Sequence, residues 1–283
     1  MIAVVGGSGR LGRLVCRRLV EAGEQVRAVA RSEPETPVVA TEFVVADLRH
    51  PGSLPRALDG VDTVVAAAHG MDPGKGESPR EVDRDGNAAL VDLAVARAID
   101  VVLVSVVDAA ADHPLELHRM KWAADQHLRA SGAAWTIARA SAFAEMWIEM
   151  LRESAHTGKG PLVLGRGRNP VNLVSVGDVA VAVARAATGR SLRGAVVDVG
   201  EDDLTLDELA RLVVPGATPR HLPRPVLWVM GQAARPVRPS FARLVRTALV
   251  MDRADLRHDP SAARRAHPWL PGTPVRGLAM APA

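Results

Sequence analysis

The sequence is poor in three residue types that often carry chemistry. Among its 283 residues it has one cysteine, no tyrosine and only the lysines Lys75, Lys121 and Lys159. The single cysteine, Cys16, excludes an internal disulfide, and its place in a predicted helix favours a buried thiol. The nine histidines are scattered without the spacing of metal ligands, so we predict no metal site. Basic side chains are almost all arginine, which makes any buried lysine informative.

Long runs of charge or of apolar residues are also missing. The formal net charge is only +3, and no basic block with interleaved aromatic residues indicates a nucleic-acid partner. The longest apolar stretches, such as Val101–Val107, are far shorter than the about 20 residues that a membrane-spanning helix needs, so we expect no membrane partner. An apolar strand is predicted from residue 2, from which we expect no signal peptide and a cytoplasmic protein.

The sequence does contain a regular alternation of short β-branched runs and helical patterns over its first 140 residues. Continuous apolar runs are typical of parallel strands buried on both faces, and helices between them produce a doubly wound sheet. We therefore predict an α/β protein with a Rossmann-type doubly wound parallel sheet at residues 1–155 and a smaller C-terminal part at 156–283. The predicted strands of the sheet are Ile2–Val5, Val26–Ala30, Phe43–Ala46, Thr63–Ala68, Val101–Val107 and Trp135–Ala138. A Gly/Pro-rich loop at 69–79 is expected to be mobile, and a Pro- and Arg-rich stretch covers 215–239.

A glycine-rich turn joins the first predicted strand to the first predicted helix. Its spacing is Gly6-x-x-Gly9-x-x-Gly12 rather than the standard G-x-G-x-x-G. Glycines let the backbone approach a pyrophosphate, and the N–H groups at a helix start favour an anion. This context predicts a nicotinamide dinucleotide site, the alternative being a flexible turn without a ligand. The residues predicted to bind the cofactor here are Gly6, Ser8, Gly9, Arg10, Leu11 and Gly12.

Arg31 follows the second predicted strand, whose tip normally faces the adenosine ribose. A carboxylate there would bind the 2′-hydroxyl of NAD, whereas a guanidinium suits the 2′-phosphate of NADP. With Arg10 in the turn, this predicts NADP(H) in preference to NAD(H), unless Arg31 is simply a solvated surface residue. The other cofactor contacts predicted after the third and fourth strands are Asp47, Leu48, Ala66, Ala67 and Ala68.

Lys121 lies in or beside the apolar arc of the predicted helix Leu115–Ala130. A lysine is rarely buried without a partner, so one that faces the core must find one. The topology offers the cofactor ribose or the reacting substrate as that partner. The alternative is a lysine whose ammonium reaches the surface.

Together these features resemble the atypical short-chain dehydrogenase/reductases, specifically the NmrA-like group related to isoflavone-type reductases. The likeness is specific over about residues 1–180 and looser beyond. It is carried by Gly6–Gly12, Arg31, Asp47, Val82–Ala94, Val104–Ser105, His118–Gly132, Trp135–Phe143, Asn169–Ala180 and Met251–Asp255. The resemblance implies an NAD(P)-binding fold, often reductase chemistry, and in some relatives a regulatory role.

The resemblance also implies a Tyr-x-x-x-Lys pair in which the tyrosine donates a proton, but Leu117 occupies the tyrosine position before Lys121. Three groups remain as candidate catalytic residues. Ser105 matches the family's serine position, His118 follows Leu117, and Lys121 itself could act if burial favoured its neutral amine. The alternatives are a Ser105 hydroxyl bonded to the backbone and a surface histidine at 118.

The resemblance further places a cofactor-binding segment after the sixth strand, beside the nicotinamide: Ala140, Ser141, Ala142 and Phe143. Phe143, Met146 and Trp147 would form an apolar wall there, although core packing explains them equally well. The sequence thus predicts an NADPH-dependent reductase of a small apolar or aromatic carbonyl, enone or quinone. Two alternatives stay open: a redox-sensing NADP(H)-binding regulator, and a redox-neutral isomerase or cyclase that retains a nicotinamide.

Overall fold

The structure is a computed structural model that describes residues 1–71, 78–156 and 160–281. In chain order its strands are β1 (Ile2–Val5), β2 (Val26–Ala30), β3 (Glu42–Val45), β4 (Thr63–Ala66), β5 (Asp100–Val106), β6 (Trp135–Ala140), β7 (Ala142–Phe143), β8 (Leu162–Leu164), β9 (Pro170–Val174), β10 (Val196–Val199), β11 (Asp202–Thr205) and β12 (Arg220–Leu222). Its α-helices are α1 (Arg10–Glu21), α2 (Leu54–Ala57), α3 (Asn87–Ala96), α4 (Glu116–Ala130), α5 (Ala144–Ala155), α6 (Val176–Thr188), α7 (Leu206–Val213), α8 (Arg224–Ala234), α9 (Pro239–Met251), α10 (Ser261–Ala266) and α11 (Val275–Met280). A stretch of π-helix, Arg80–Gly86, leads directly into α3.

Seven parallel strands of the described chain form the main sheet, in the spatial order β10-β6-β5-β4-β1-β2-β3. All residues of β1 and β2 are buried, which explains why they are apolar except for Arg27, whose guanidinium pairs with Glu42. The order of the strands reverses between β1 and β4, and in open α/β sheets ligands bind at the carboxyl ends of the strands at such a switch point. The predicted doubly wound parallel sheet is confirmed.

Helix α1 shows how the apolar pattern becomes packing. Its buried side chains include Leu11, Val15, Cys16 and Leu19, which recur at helical spacing, whereas the arginines of the helix lie outside this stripe. Burial raises the pKa of the Cys16 thiol to about 12, so this cysteine is an inert part of the core. The helix ends before Gly23, whose φ of +85° suits a glycine.

The chain forms two compact units that interleave in sequence. The first combines the residues up to Ala140 with Gly177–Val199, and the second combines Ser141–Val176 with the segment from Gly200 onwards. This division differs from the single boundary predicted at residue 155. The reason is strand pairing: β10 adds to β6 in the main sheet, whereas β7 pairs with β9 in the second unit.

The second unit contains a three-stranded sheet in the order β11-β9-β7 and a two-stranded sheet of β12 and β8. It also contains α8, a helix within the Pro- and Arg-rich stretch for which the sequence predicted no element. Pro225 lies in the first turn of α8, where a missing N–H breaks no helical hydrogen bond. Of the loop predicted at 69–79, residues 72–77 lie outside the described residues. None of the described helices combines the length and apolar character needed to cross a bilayer.

Candidate functional site

The glycine-rich turn has a geometry that only glycine allows. Gly6 has a φ of +88°, and its N–H donates to Val29 O at 2.9 Å. The N–H of Gly9 donates back to Gly6 O at 2.9 Å, which closes the turn directly before α1. A Cβ at position 12 would lie 2.1 Å from Gly6 O, so Gly12 lets the helix start this close to the turn.

The start of α1 suits an anion. Gly9 is the N-cap residue and offers no side-chain cap, and the first turn contains no acidic residue. The first N–H groups of the helix therefore have no capping side chain among the described residues, and the helix dipole adds partial positive charge. This donor set fits a pyrophosphate group. Of the predicted residues, Arg10, Leu11 and Gly12 contribute the first N–H groups of α1, whereas the N–H of Gly9 is taken by Gly6 O.

The residues after β4 pack against this turn. The N–H of Ala67 donates to Val5 O at 2.9 Å, and a Cβ at Gly6 would lie 2.8 Å from Ala68 N. Ala66 is the last residue of β4 and is fully buried. The structure therefore brings the three alanines beside the turn, and their contact with the cofactor stays a prediction.

The residues after β2 and β3 lie at the same edge of the sheet. Arg31 follows β2 directly and is half-buried. Burial would raise the pKa of the Asp47 carboxyl, but hydrogen bonds and the ion pair with Arg49 outweigh this and hold it below its usual value. Leu48 is buried in the core, where a Cβ at Gly86 would lie 2.7 Å from Leu48 Cβ.

Arg13 is a positioning residue that the sequence analysis missed. Its Nε donates to Ser8 O at 2.9 Å, and its terminal nitrogens donate to Thr36 O and Pro37 O at 2.8 and 3.0 Å. The guanidinium thus ties the glycine-rich turn to the loop that follows Arg31.

Lys121 is buried, and its ammonium has a protein partner. Nζ lies 2.9 Å from Asp83 Oδ1, donates to Val104 O at 2.8 Å and lies 3.5 Å from Ala68 O. Only 4% of the lysine side chain is exposed, and none of the Asp83 side chain. The prediction that Lys121 faces inward is therefore right, and the alternative of a surface lysine is wrong. Helix α4 delivers the ammonium to the carboxyl ends of β4 and β5, close to the glycine-rich turn.

Asp83 is held from several sides. Its Oδ2 accepts from Gly70 N at 2.9 Å, and the amide nitrogen of Asn87 donates to Asp83 O at 2.9 Å. A Cβ at Gly70 would lie 2.3 Å from Ser78 O, so this approach of the loop to the carboxylate depends on glycine. These contacts fix Asp83 in the position in which it pairs with Lys121.

Ser105 belongs to a second buried polar group one turn further along α4. Burial raises the pKa of Asp125, against the opposing effects of Ser105 and Arg139 beside it. Arg139 donates to Asp125 Oδ2 at 2.9 and 3.0 Å and stands opposite Ser105 in the register of β5 and β6. The Ser105 hydroxyl is buried near this carboxylate and has no hydrogen-bond partner among the described residues, so the alternative of a hydroxyl bonded to the backbone is wrong.

His118 is close to Lys121 in sequence but cannot supply a proton as an imidazolium at neutral pH. Burial, together with the neighbouring His113, lowers its pKa to about 3. The two rings stack with centroids 4.0 Å apart and planes 10° from parallel. The alternative of a freely solvated surface histidine is also wrong, because Nδ1 is buried without a partner among the described residues.

The segment predicted to contact the nicotinamide runs across the boundary between the two units. Ala140 ends β6 in the first unit, whereas Ser141, Ala142 and Phe143 begin the second. Ser141 is buried, and its hydroxyl has no hydrogen-bond partner among the described residues. Phe143 is the N-cap residue of α5 rather than part of the helix.

Two buried carboxylates, Asp83 and Asp125, were not predicted as site residues. A signal existed for each. Asp125 follows Lys121 by four residues on the same helix face, and Asp83 lies in the Val82–Ala94 segment with Asn87 and Leu90 at helical spacing. Among the described residues, no group of three potential ligand side chains is arranged to hold a metal ion.

Comparisons with known proteins agree with this geometry. The chain is 30% identical to the NAD(P)H azoreductase of Xenophilus azovorans over 195 residues, which cover 66% of this chain and 63% of that protein. The chain thus spans less than two thirds of that relative, and about half or less of others that it matches.

Two solved structures share the fold over nearly the whole chain. A nucleoside-diphosphate-sugar epimerase from Staphylococcus aureus has a TM-score of 0.79 at 16% identity and covers 99% of both chains. An NADPH-dependent quinone oxidoreductase from Escherichia coli, complexed with NADPH, has a TM-score of 0.77 at 20% identity and covers 99% of this chain and 98% of that one. At these identities the two structures establish the fold alone.

A family model described as NAD(P)H-binding matches residues 6–190, from the glycine-rich turn to the end of α6 and just beyond. The match includes the turn, the end of β2, the Asp83–Lys121 pair and the Ser105–Asp125 group. The resemblance drawn from the sequence is confirmed: the chain belongs to the NAD(P)H-binding family.

Proposed function

We propose that this chain is an NADPH-dependent reductase of a small apolar or aromatic acceptor: a quinone, an enone or another conjugated carbonyl. The observation that carries the proposal is a cation, Lys121, buried beside a pyrophosphate-binding turn in a chain that contains no tyrosine. When bound, the nicotinamide supplies the hydride. The side chains and backbone of this protein would bind the cofactor and orient the substrate.

Binding would divide among three elements. The turn Gly6–Gly12 would hold the pyrophosphate through backbone N–H groups, and Arg31 would hold the 2′-phosphate. Lys121 would hold the nicotinamide ribose, because its ammonium can donate three hydrogen bonds and the structure gives it one carboxylate, one close carbonyl and only a long contact of 3.5 Å to Ala68 O. Asp83 fixes the direction of this ammonium.

The described residues of the site offer no clear general acid, which favours substrates whose reduction does not require proton transfer from the protein. A simple ketone becomes a strongly basic alkoxide as hydride arrives, and tyrosine commonly protonates it in the wider family. Here His118 is neutral, and the Ser105 hydroxyl is buried near Asp125 with no hydrogen-bond partner among the described residues. A quinone or enone delocalises the new negative charge over its conjugated system, so its reduced form can take its proton from water.

The relatives support the same class of chemistry. One similar protein is an NAD(P)H azoreductase and another is an NADPH-dependent quinone oxidoreductase. The epimerase shows that the fold also serves redox-neutral chemistry. A measurement of substrate turnover therefore has to distinguish a reductase from an enzyme of redox-neutral chemistry.

The test mixes the purified full chain with NADPH and a panel of naphthoquinones, enones, azo dyes and simple ketones, and follows the absorbance of the reduced nicotinamide. We expect saturable oxidation of NADPH with conjugated acceptors and none with simple ketones. Lys121→Met should raise KM for NADPH and lower kcat, whereas His118→Gln should leave kcat nearly unchanged near neutral pH. Binding of NADPH without oxidation by any acceptor would reject the reductase and favour the regulatory alternative.

A further inference from the structure

A long segment of the second unit contains no acidic residue. From residue 209 to residue 251 the sequence has no aspartate or glutamate and seven arginines. These seven charges exceed the formal net charge of +3 of the whole chain, so the rest of the protein is net negative. The modest overall charge conceals a strongly basic region, of which the sequence analysis noted only the Pro- and Arg-rich stretch at 215–239.

Helix α8 lies within this segment and exposes apolar side chains. We call Val226, Trp228, Val229, Met230 and Val237 the apolar face. Trp228 and Val229 are each 58% exposed, and Val237, just beyond the helix, is 78% exposed. Between Arg224 and Arg235 the helix carries no charged residue. A surface helix normally points polar side chains to solvent, so this arrangement is inverted.

The exposure of apolar side chains on α8 does not arise from loose packing of the helix. Leu227, on the opposite side of α8, is 1% exposed, and a Cβ at Gly231 would lie 3.1 Å from Val245 Cγ1 of α9. Helices α8 and α9 therefore form a close hairpin in which Gly231 permits the contact. The apolar face is the side that this packing leaves outward.

Arginines surround the apolar face. Arg235 and Arg238 flank Val237 in the connection between the two helices, and Arg246 is exposed on α9. In the described part of the chain none of these three guanidiniums forms an ion pair. They are therefore available to an external anion, Arg235 and Arg238 directly beside Val237 and Arg246 on the helix that packs against α8.

Charge decides between the possible occupants of this surface. A second copy of the chain would bring the same uncompensated arginines against themselves, which costs binding free energy. A nucleic acid would be recognised by central basic residues and stacked aromatics, whereas the centre of this surface is aliphatic with one tryptophan. An apolar helix face bordered by arginines is typical of helices that lie in the interface of anionic membranes.

We propose that α8 and the connection to α9 bind the surface of an anionic phospholipid bilayer. The apolar face enters the headgroup region, and Arg235, Arg238 and Arg246 contact lipid phosphates. The chain would bind as a peripheral protein, since none of the described helices could cross the membrane. The expectation of no membrane partner considered only segments that span a bilayer, and this proposal departs from it. This proposal does not depend on the reductase activity.

The test is co-sedimentation of the full chain with vesicles of phosphatidylcholine alone or mixed with phosphatidylglycerol. We expect binding to the mixed vesicles that falls as salt is added, and little binding to phosphatidylcholine. Val229→Asp should lower the partition coefficient by about tenfold or more, since it puts a negative charge into the apolar face. The matched control is Val39→Asp, at another exposed valine (47%), which should bind like the unchanged chain.

A second pair of variants tests the charges. Arg235→Gln combined with Arg238→Gln should weaken binding to mixed vesicles and reduce its salt dependence, while Arg17→Gln combined with Arg18→Gln should do neither. Unchanged affinity for NADPH in all variants would show that they are folded.

Equal binding to both vesicle types, no binding to either, or identical behaviour of the 229 and 39 variants would overturn the proposal. A dimer in solution abolished by Val229→Asp without vesicle binding would assign the surface to a second copy, and tighter binding to RNA than to vesicles would assign it to nucleic acid.

Discussion

The glycine-rich turn and the Lys121 group lie at the same edge of the sheet, yet they are built in opposite ways. The turn is made of backbone: Gly6, Gly9 and Gly12 contribute the absence of side chains and the N–H groups of a helix start. The Lys121 group is made of side chains and loop backbone brought together from separate segments. The turn should therefore be sensitive to added atoms, and the Lys121 group to removed charge.

The largest effect is expected from Asp83→Asn, which leaves a buried ammonium without its carboxylate. Breaking a buried ion pair in this way lowers the free energy of unfolding by about 3–5 kcal/mol. Urea denaturation measures it. The control is Asp92→Asn on α3, the helix that continues from the π-helical stretch containing Asp83. It removes an exposed carboxylate 2.7 Å from His127 of α4 and should lower the free energy of unfolding by no more than about 0.5 kcal/mol. Similar losses in both variants would contradict a special role for the Lys121 group.

Adding Lys121→Met to Asp83→Asn sharpens this test. Replacing both members of a buried pair by neutral side chains often restores stability, so the double variant should be more stable than Asp83→Asn alone. It should nevertheless bind NADPH more weakly than the unchanged chain, because the ammonium is gone. Full recovery of NADPH affinity would place Lys121 outside the cofactor site.

Gly12→Ala tests the backbone-built turn. The new Cβ would lie 2.1 Å from Gly6 O, so the helix or the turn must shift, at a cost of about 1–3 kcal/mol. Affinity for NADPH should fall with it. Gly52→Ala is the control, because a Cβ at that position would have nothing within 4 Å. If Gly12→Ala binds NADPH as tightly as the control, the turn does not hold the pyrophosphate.

The buried His118 should make the folded protein less stable as the pH falls. Burial, aided by His113, lowers its pKa to about 3 from 6.5, so below 6.5 the unfolded chain binds a proton that the folded chain does not. Stability is therefore lost as the pH falls from 6.5 towards 3. In His118→Gln the decrease between neutral pH and about pH 4 should be smaller by roughly 1–3 kcal/mol. Replacing the exposed His50 should leave the unfolding profile almost unchanged, and the opposite ranking would show that His118 is not buried as a neutral ring.

The smallest effect concerns the choice of cofactor. Arg31→Ser should weaken NADPH by about tenfold, or about 1.4 kcal/mol, and leave NADH unchanged, because only NADPH carries the 2′-phosphate. Dissociation constants for the two nucleotides measure it, with Arg17→Ser on α1 as the control arginine. An equal loss for both nucleotides would mean that Arg31 contacts a part they share.

The turn could be predicted from sequence because all of its determinants lie within seven consecutive residues, between a strand and a helix. The sheet followed for a similar reason, since each buried parallel strand is a local apolar run. Asp83 could not be assigned in the same way. Its partner is 38 positions further along the chain, and only the paired strands and helix α4 bring Lys121 to it.

The division into two units escaped the sequence for the same reason. Strand β10 belongs to the first unit because it pairs with β6, about 60 residues earlier, and no local pattern records that pairing. His118 shows a further limit. Its sequence position made it a candidate proton donor, but burial and His113, which depend on how the loop before α4 folds, remove the charged form.

Calorimetric titration of the full chain with NADPH, with NADH alongside, tests the central claim most directly. The account predicts saturable binding of NADPH, weaker binding of NADH, and loss of most affinity in Gly12→Ala but not in Gly52→Ala. Absence of NADPH binding by the unchanged chain, or binding of the same strength in both glycine variants, would contradict it.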